Sequence, residues 1–456
     1  MIGARRLSLL AILFAASACE DSLLDARPQW LVTVGTDAPV PQLGDRLLVE
    51  VLRADGTIAC PGCRRQFGLS PTEPGGGLPL SFGVTPSEDG GVTRLRVRLY
   101  RATRISAEGL PSGALLIDTL GRLPDAGSVI QVAVPLRMSC FGVPADEAAA
   151  QSCDPATGAL APEPTLGGGE LPETGSWAPA HPVPCGSQAP PGMVCVEGGV
   201  FLLGGDGFQD GAPSLPERLV RVSPFALDID EVLVGTVKDL LQDGMISAGP
   251  TPRGAAGTLL AACTFVESGE NDALPVNCIS RDAAAAVCVA LGKRLPTEAE
   301  WELAAGNRAA ETPFSWGDED IDLCSQAVVA RGRFVEEVDT SIETADCRSG
   351  GEPSGPAPGG HPADLTALGI KNLSGNVAEY VEGALAPYDD PCWGSGVLLQ
   401  DPICTSPASA APLAVRGGSW VDPAFTARVV TRRTWKLPKD EQATIATGFR
   451  CVVRLP

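Results

Sequence analysis

The sequence predicts a multidomain protein: an N-terminal antiparallel β-sandwich of immunoglobulin-like type, a linker, and a loop-rich domain carrying short helices. Three observations lead there. The first third of the chain alternates apolar and polar residues with period two, as in Thr93-Arg-Leu-Arg-Val-Arg-Leu99. Residues 154–184 are dense in proline, glycine and acids. Beyond them, helix-start signals at Ser280 and Thr297 stand in glycine-rich, irregular sequence. A chain of 456 residues is long enough for two or three cores.

The chain opens with a basic pair, Arg5-Arg6, an apolar run from Leu7 to Ala15, and Ala16-Ser-Ala-Cys19. That order describes a secretory signal over residues 1–18. A cysteine at the cleavage point resembles a bacterial lipobox, which makes Cys19 the expected lipidation site. An ordinary signal peptide with a chance cysteine is the alternative. No later stretch holds the eighteen or so apolar residues needed to span a bilayer. The expected localisation is export with a lipid anchor, at the outer membrane or cell surface rather than the inner membrane.

The sandwich is expected over 26–140. Trp30–Val34, Arg46–Val51, Leu78–Phe82, Thr93–Leu99, Ala114–Asp118 and Val129–Val134 read as strands, separated by turns such as Ala54-Asp-Gly56. Leu95, Val97 and Leu99 fall on one face of their strand, and three arginines fall on the other. Cys60-Pro-Gly-Cys63 lies between strands rather than opening a helix, which favours a loop disulfide over a redox motif. A proline-stiffened linker is expected over 154–184, and a second domain over 185–456. There Ser280 caps Arg281–Leu291, which Gly292 ends, and Thr297 with Glu300 forms a capping box for Glu298–Ala305.

Charge and cysteines bound the function. Formal net charge is −21; removing residues 1–18 takes away Arg5 and Arg6 and no acid, leaving −23. Such a surface repels nucleic acid and anionic headgroups, so no nucleic-acid partner is expected. Setting Cys19 aside leaves 14 of 15 cysteines, an even number for an oxidising compartment. Close sequence pairs suit Cys60–Cys63, Cys140–Cys153, Cys185–Cys195, Cys263–Cys278, Cys324–Cys347 and Cys392–Cys404.

Lys293-Arg-Leu-Pro-Thr-Glu-Ala-Glu-Trp-Glu302, Asn372-Leu-Ser-Gly-Asn-Val-Ala-Glu379, Arg416-Gly-Gly-Ser-Trp420 and Gly448-Phe-Arg-Cys451 together resemble the formylglycine-generating enzyme, or sulfatase-modifying factor, family. The resemblance covers most of Val196–Leu455 and implies an α+β fold related to C-type lectins. It implies a Cys288–Cys451 disulfide. It also implies a structural calcium held by Asn372, Gly375, Val377 and Glu379, through the clustered oxygens a hard cation takes.

The family's oxidases bind copper through two cysteines just after Gly-Gly-Ser. Here Asp422 and Ala427 stand roughly at those positions, and Ala378 replaces the tryptophan of the oxygen pocket. Neither Asp422 nor Ala427 offers the soft thiolate that Cu(I) selects, so copper is not expected. The iron-dependent relatives use three histidines, and this chain has only His181 and His361, so iron is not expected either.

Two functions follow from these readings. One is a non-catalytic, surface-anchored protein that binds glycan, peptide or protein, with Tyr388 and Trp393 either lining a contact groove or simply covering the core. The other is an oxidoreductase of altered, cysteine-independent chemistry, with Ser419, Asp422, Arg432 and Arg433 as groove residues. Because the copper-binding cysteines are missing, the sequence leaves enzyme activity open.

Overall fold

Among the described residues, seven strands fill the N-terminal third: β1 (Gln29–Thr36), β2 (Arg46–Leu52), β3 (Arg64–Gly68), β4 (Leu80–Val84), β5 (Arg94–Tyr100), β6 (Ile117–Arg122) and β7 (Val129–Leu136). The computed structural model describes residues 27–455, apart from 71–76, 87–90, 92, 206–213, 257, 308–309, 318–322, 332–346, 348–354, 406–412 and 434–444. The expected signal sequence and Cys19 lie outside the described residues.

The strands form two sheets, ordered β4-β1-β7 and β3-β2-β5-β6. Leu95, Val97 and Leu99 meet Val32, Val34, Val132 and Val134 in the core between them, each at most 1% exposed. On the outer face, Arg94 pairs with Glu163 at 2.7 Å, Arg96 with Asp118 at 2.6 Å, and Arg98 with Glu50.

Two expectations are corrected here. The sandwich is not wholly antiparallel, because β1 and β7 run parallel through eight paired positions. Nor is the strand order that of an immunoglobulin domain, which places the first, second, fifth and fourth strands in one sheet. Period-two alternation tells which face of a strand is buried and says nothing of its neighbours. The sequence reading also missed β3, whose Arg64-Arg65-Gln66 start shows no apolar alternation.

Residues 154–184 are not a free linker. β8 (Gln151–Asp154) and β9 (Ala159–Pro162) make a hairpin, tied to the sandwich by Cys140–Cys153. Residues 164–167 then run along the β6 and β7 edges: Arg122 N–H donates to the Pro164 carbonyl at 2.9 Å, and Ala133 N–H to that of Gly167 at 2.8 Å. Leu166 enters the core, and Trp177 packs against it. Composition identified weak local structure correctly, but the sheet edges supplied hydrogen-bond partners that composition does not show.

The second domain contains β10 (Met193–Val196), β11 (Gly199–Leu203), β12 (Arg218–Val222), β13 (Phe225–Asp228), β14 (Ala378–Ala384), β15 (Leu398–Gln400), β16 (Leu413–Arg416), β17 (Thr447–Gly448) and β18 (Val452–Arg454). These form three small sheets, ordered β10-β13-β18, β11-β12-β15 and β16-β14-β17. Helices α1 (Val234–Gln242), α2 (Arg281–Ala290) and α3 (Glu298–Ala305) pack beside them. Both expected caps form: Ser280 accepts from Ala283 N–H, and Thr297 and Glu300 make the reciprocal capping box. Helix α1 carries no start signal, because its N-cap, Leu233, has no side chain able to cap.

The two domains share a core. Val200, Leu202 and Leu219 of the β11–β12 hairpin join the sandwich's apolar cluster. Gln42 Nε2 donates to the Val200 carbonyl at 2.7 Å, Arg101 pairs with Glu311 at 2.6 Å, and Arg104 pairs with Glu217. All seven expected disulfides form, including Cys288–Cys451, whose Cα atoms are 5.6 Å apart.

Candidate functional site

Strand β16 ends at Arg416 and turns sharply through Gly417 and Gly418, whose φ angles are +89° and +66°. A side chain at Gly418 would also sit 2.5 Å from Thr426 Oγ1, so glycine is required by backbone angle and by space alike. The turn delivers Ser419, fully buried, against the Ala424–Ala427 turn. Ser419 Oγ donates to Asp422 Oδ2 at 2.6 Å, and Arg433 donates to Asp422 Oδ1 at 2.7 Å. Burial lifts the Asp422 carboxyl above its usual range, against the pull of Arg433 and Ser419. Asp422, Arg433, Ala378 and the glycine turn surround a cavity of about 10 Å³. Such a space holds one water at most.

A second buried cluster lies behind the turn. Glu298 and Glu302 are four residues apart on α3 and therefore face the same way. Glu298 accepts from Arg416 at 2.9 Å and from Arg432 at 2.8 and 2.6 Å, while Glu302 accepts from Arg416. Burial alone would raise the Glu298 carboxyl, but Arg432 and Arg416 outweigh it and hold it below its usual value. The Arg432 guanidinium stacks 4.0 Å from the Tyr388 ring centroid.

A match to the family described as "Sulfatase-modifying factor enzyme 1-like domain" spans residues 180–455. The chain belongs to the sulfatase-modifying factor family. It is 28% identical over 303 residues to a formylglycine-generating enzyme of Streptomyces coelicolor, covering 57% of this chain and 88% of that one. It is 27% identical over 304 residues to the "Inactive C-alpha-formylglycine-generating enzyme 2" of Mus musculus, covering 58% and 87%. Among solved structures, PvdO from Pseudomonas aeruginosa aligns with a TM-score of 0.41 at 18% identity, covering 61% and 99%.

Within this sulfatase-modifying factor domain, the four suspected groove residues separate. Ser419, Asp422 and Arg433 come together at the glycine turn. Arg432 points instead into the buried Glu298 cluster, with 1% of its surface exposed. Tyr388 is fully buried and Trp393 is 5% exposed, so both cover the core and neither presents a contact surface. This corrects the groove reading: Trp393 of the Cys392–Cys404 loop and Tyr388 just before it fold inward edge to face, where burial of their area favours them.

The calcium set of the family is occupied differently. Asn372 Oδ1 accepts from His361 N–H at 3.2 Å, and its Nδ2 donates to Glu231 at 2.8 Å. Glu379 accepts from Arg450 at 2.6 Å and from Trp301 Nε1 at 2.8 Å, engaging both carboxylate oxygens. Among the described residues, no group of three or more His, Cys, Asp or Glu is placed to hold a metal ion. As arranged, the side chains of Asn372 and Glu379 do not offer free oxygens to a cation with Gly375 and Val377, so the residues do not fit Ca²⁺.

Sequence reasoning missed Glu231, which accepts from both Asn372 and Asn376. Burial pushes its carboxyl up to about 8. It also missed Asp364, pushed up to about 7 by burial and bonded to Ser315 and Ser374. Glu231 follows Asp228-Ile-Asp230, an acidic run that reads as solvated; nothing local marks it as buried.

Proposed function

We propose that this protein is a non-catalytic member of the sulfatase-modifying factor family, exported, lipid-anchored at Cys19, and used to bind a ligand at the cell surface. The observation that carries the reading is the saturated ion pair at the copper position. Asp422, where the oxidases have a thiolate, is bonded by Ser419 and Arg433 inside a cavity too small for a peptide. A relative whose name calls it inactive supports the same view. The pairing of fourteen cysteines, with Cys19 set apart, supports an oxidising compartment. The alternative, cysteine-independent oxidoreductase chemistry, would have to open this buried ion pair first.

The test is titration of purified, oxidised protein with Cu(I), together with an assay on a Cys-x-Pro-x-Arg peptide. No stoichiometric copper binding and no conversion of the peptide cysteine to an aldehyde are expected. Tight one-to-one copper binding with aldehyde formation would overturn the reading.

A companion measurement addresses calcium. With Glu379 closed on Arg450 and Trp301, chelation is expected to leave the melting temperature unchanged. A cation bound to the native state must stabilise it, so a clear fall on chelation would restore the calcium assignment.

A further inference from the structure

The two sides of the sandwich are finished differently. On the β6/β7 side, residues 164–167 bridge both sheets, bonding Arg122 on one and Ala133 on the other, while Leu166 plugs the core between them. On the β3/β4 side, among the described residues, no strand pairs with the outer edge of either sheet.

That open side holds a groove of about 830 Å³. Its floor includes Val49, Val51 and Val84, and Phe67 and Phe82 stack across it with ring centroids 6.3 Å apart. Strand register places Phe67 opposite Leu47 and Arg65 opposite Val49, so both residues share the face of β3 that looks toward the other sheet. Arg65 therefore brings a guanidinium to the rim of an apolar groove, beside the Cys60–Cys63 loop. That disulfide closes only a three-residue separation, which stiffens the rim.

We infer that the β3/β4 groove binds an extended segment of a partner protein, apolar at alternate positions and carrying a carboxylate that faces Arg65. Two features choose a peptide over an acyl chain. Both rims are strand edges, whose N–H and C=O groups an extended backbone satisfies and a hydrocarbon does not. The protein also closes its opposite side in this way, with an extended segment and one inserted leucine. The carboxylate follows from charge complementarity with Arg65. This inference rests on the sandwich alone and stands whether or not the C-terminal domain is catalytic.

The test uses the mature full-length chain with its disulfides intact. The probes are a heptapeptide of alternating valine and threonine ending in glutamate, the same peptide ending in lysine, and palmitate. The glutamate peptide is expected to bind and to slow amide hydrogen exchange within residues 64–68 and 80–84. Phe67→Ser should weaken it about tenfold, as loss of an aromatic anchor does. Arg65→Glu should reverse the preference in favour of the lysine peptide, and Arg65 is exposed enough for that variant to fold. Unchanged exchange in both strands would overturn the inference. So would binding of palmitate in place of the peptides. A variant Arg65→Ala that self-associates while binding no peptide would also overturn it, showing Arg65 to be a guard against edge pairing.

Discussion

Replacing Glu298 by glutamine is expected to destabilise the protein by about 3–5 kcal/mol, the cost of removing one partner from a buried charge pair. Glu298 is 2% exposed and bonds two guanidiniums, Arg416 and Arg432, each 1% exposed. Without its charge, Glu302 is the carboxylate left among the described residues of the cluster, and it already bonds Arg416 and Gly204 N–H. Denaturant unfolding with disulfides intact measures the loss. Glu300→Gln on the same helix is the comparison, because its partner Arg294 has a side chain 30% exposed to screening water. A Glu298→Gln variant no less stable than Glu300→Gln would show that the cluster contributes little beyond its packing.

Removing the Cys288–Cys451 disulfide should have an effect of similar size. The bridge closes a separation of 163 residues, and the chain-entropy relation assigns such a loop about 5 kcal/mol. Both cysteines are fully buried where α2 meets the strand at the C-terminus. The double variant Cys288→Ser/Cys451→Ser is therefore expected to melt many degrees lower. Cys60→Ser/Cys63→Ser, opening a separation of three, should cost less than about 2 kcal/mol by the same relation. Equal melting temperatures for the two variants would mean that loop length does not govern stability here.

The architecture was readable in parts that depend on short-range chemistry. The helices at Arg281 and Glu298 began where their caps predicted, because a cap is a contact between residues three apart. The inward face of Thr93–Leu99 was correct for the same reason. What failed was pairing. The parallel partnership of β1 with β7 joins residues about a hundred positions apart, and nothing in either strand specifies it. The ordered fate of residues 154–184 likewise depended on sheet edges elsewhere in the chain.

The site divides along the same line. The sequence by itself determined the family resemblance and the absence of thiols beside Ser419, since each is a matter of which residue occupies which position. It could not show that Asp422 would find Arg433, that Arg432 would turn inward to Glu298, or that Tyr388 and Trp393 would be buried. Those outcomes depend on which charges are brought together away from water. Burial raises the cost of an unpaired charge until pairing is obligatory, and only the folded chain decides which partner lies within reach. The sandwich's two sides have the same origin: residues 164–167 close the β6/β7 side, and among the described residues no strand pairs with the outer edge of β3 or β4.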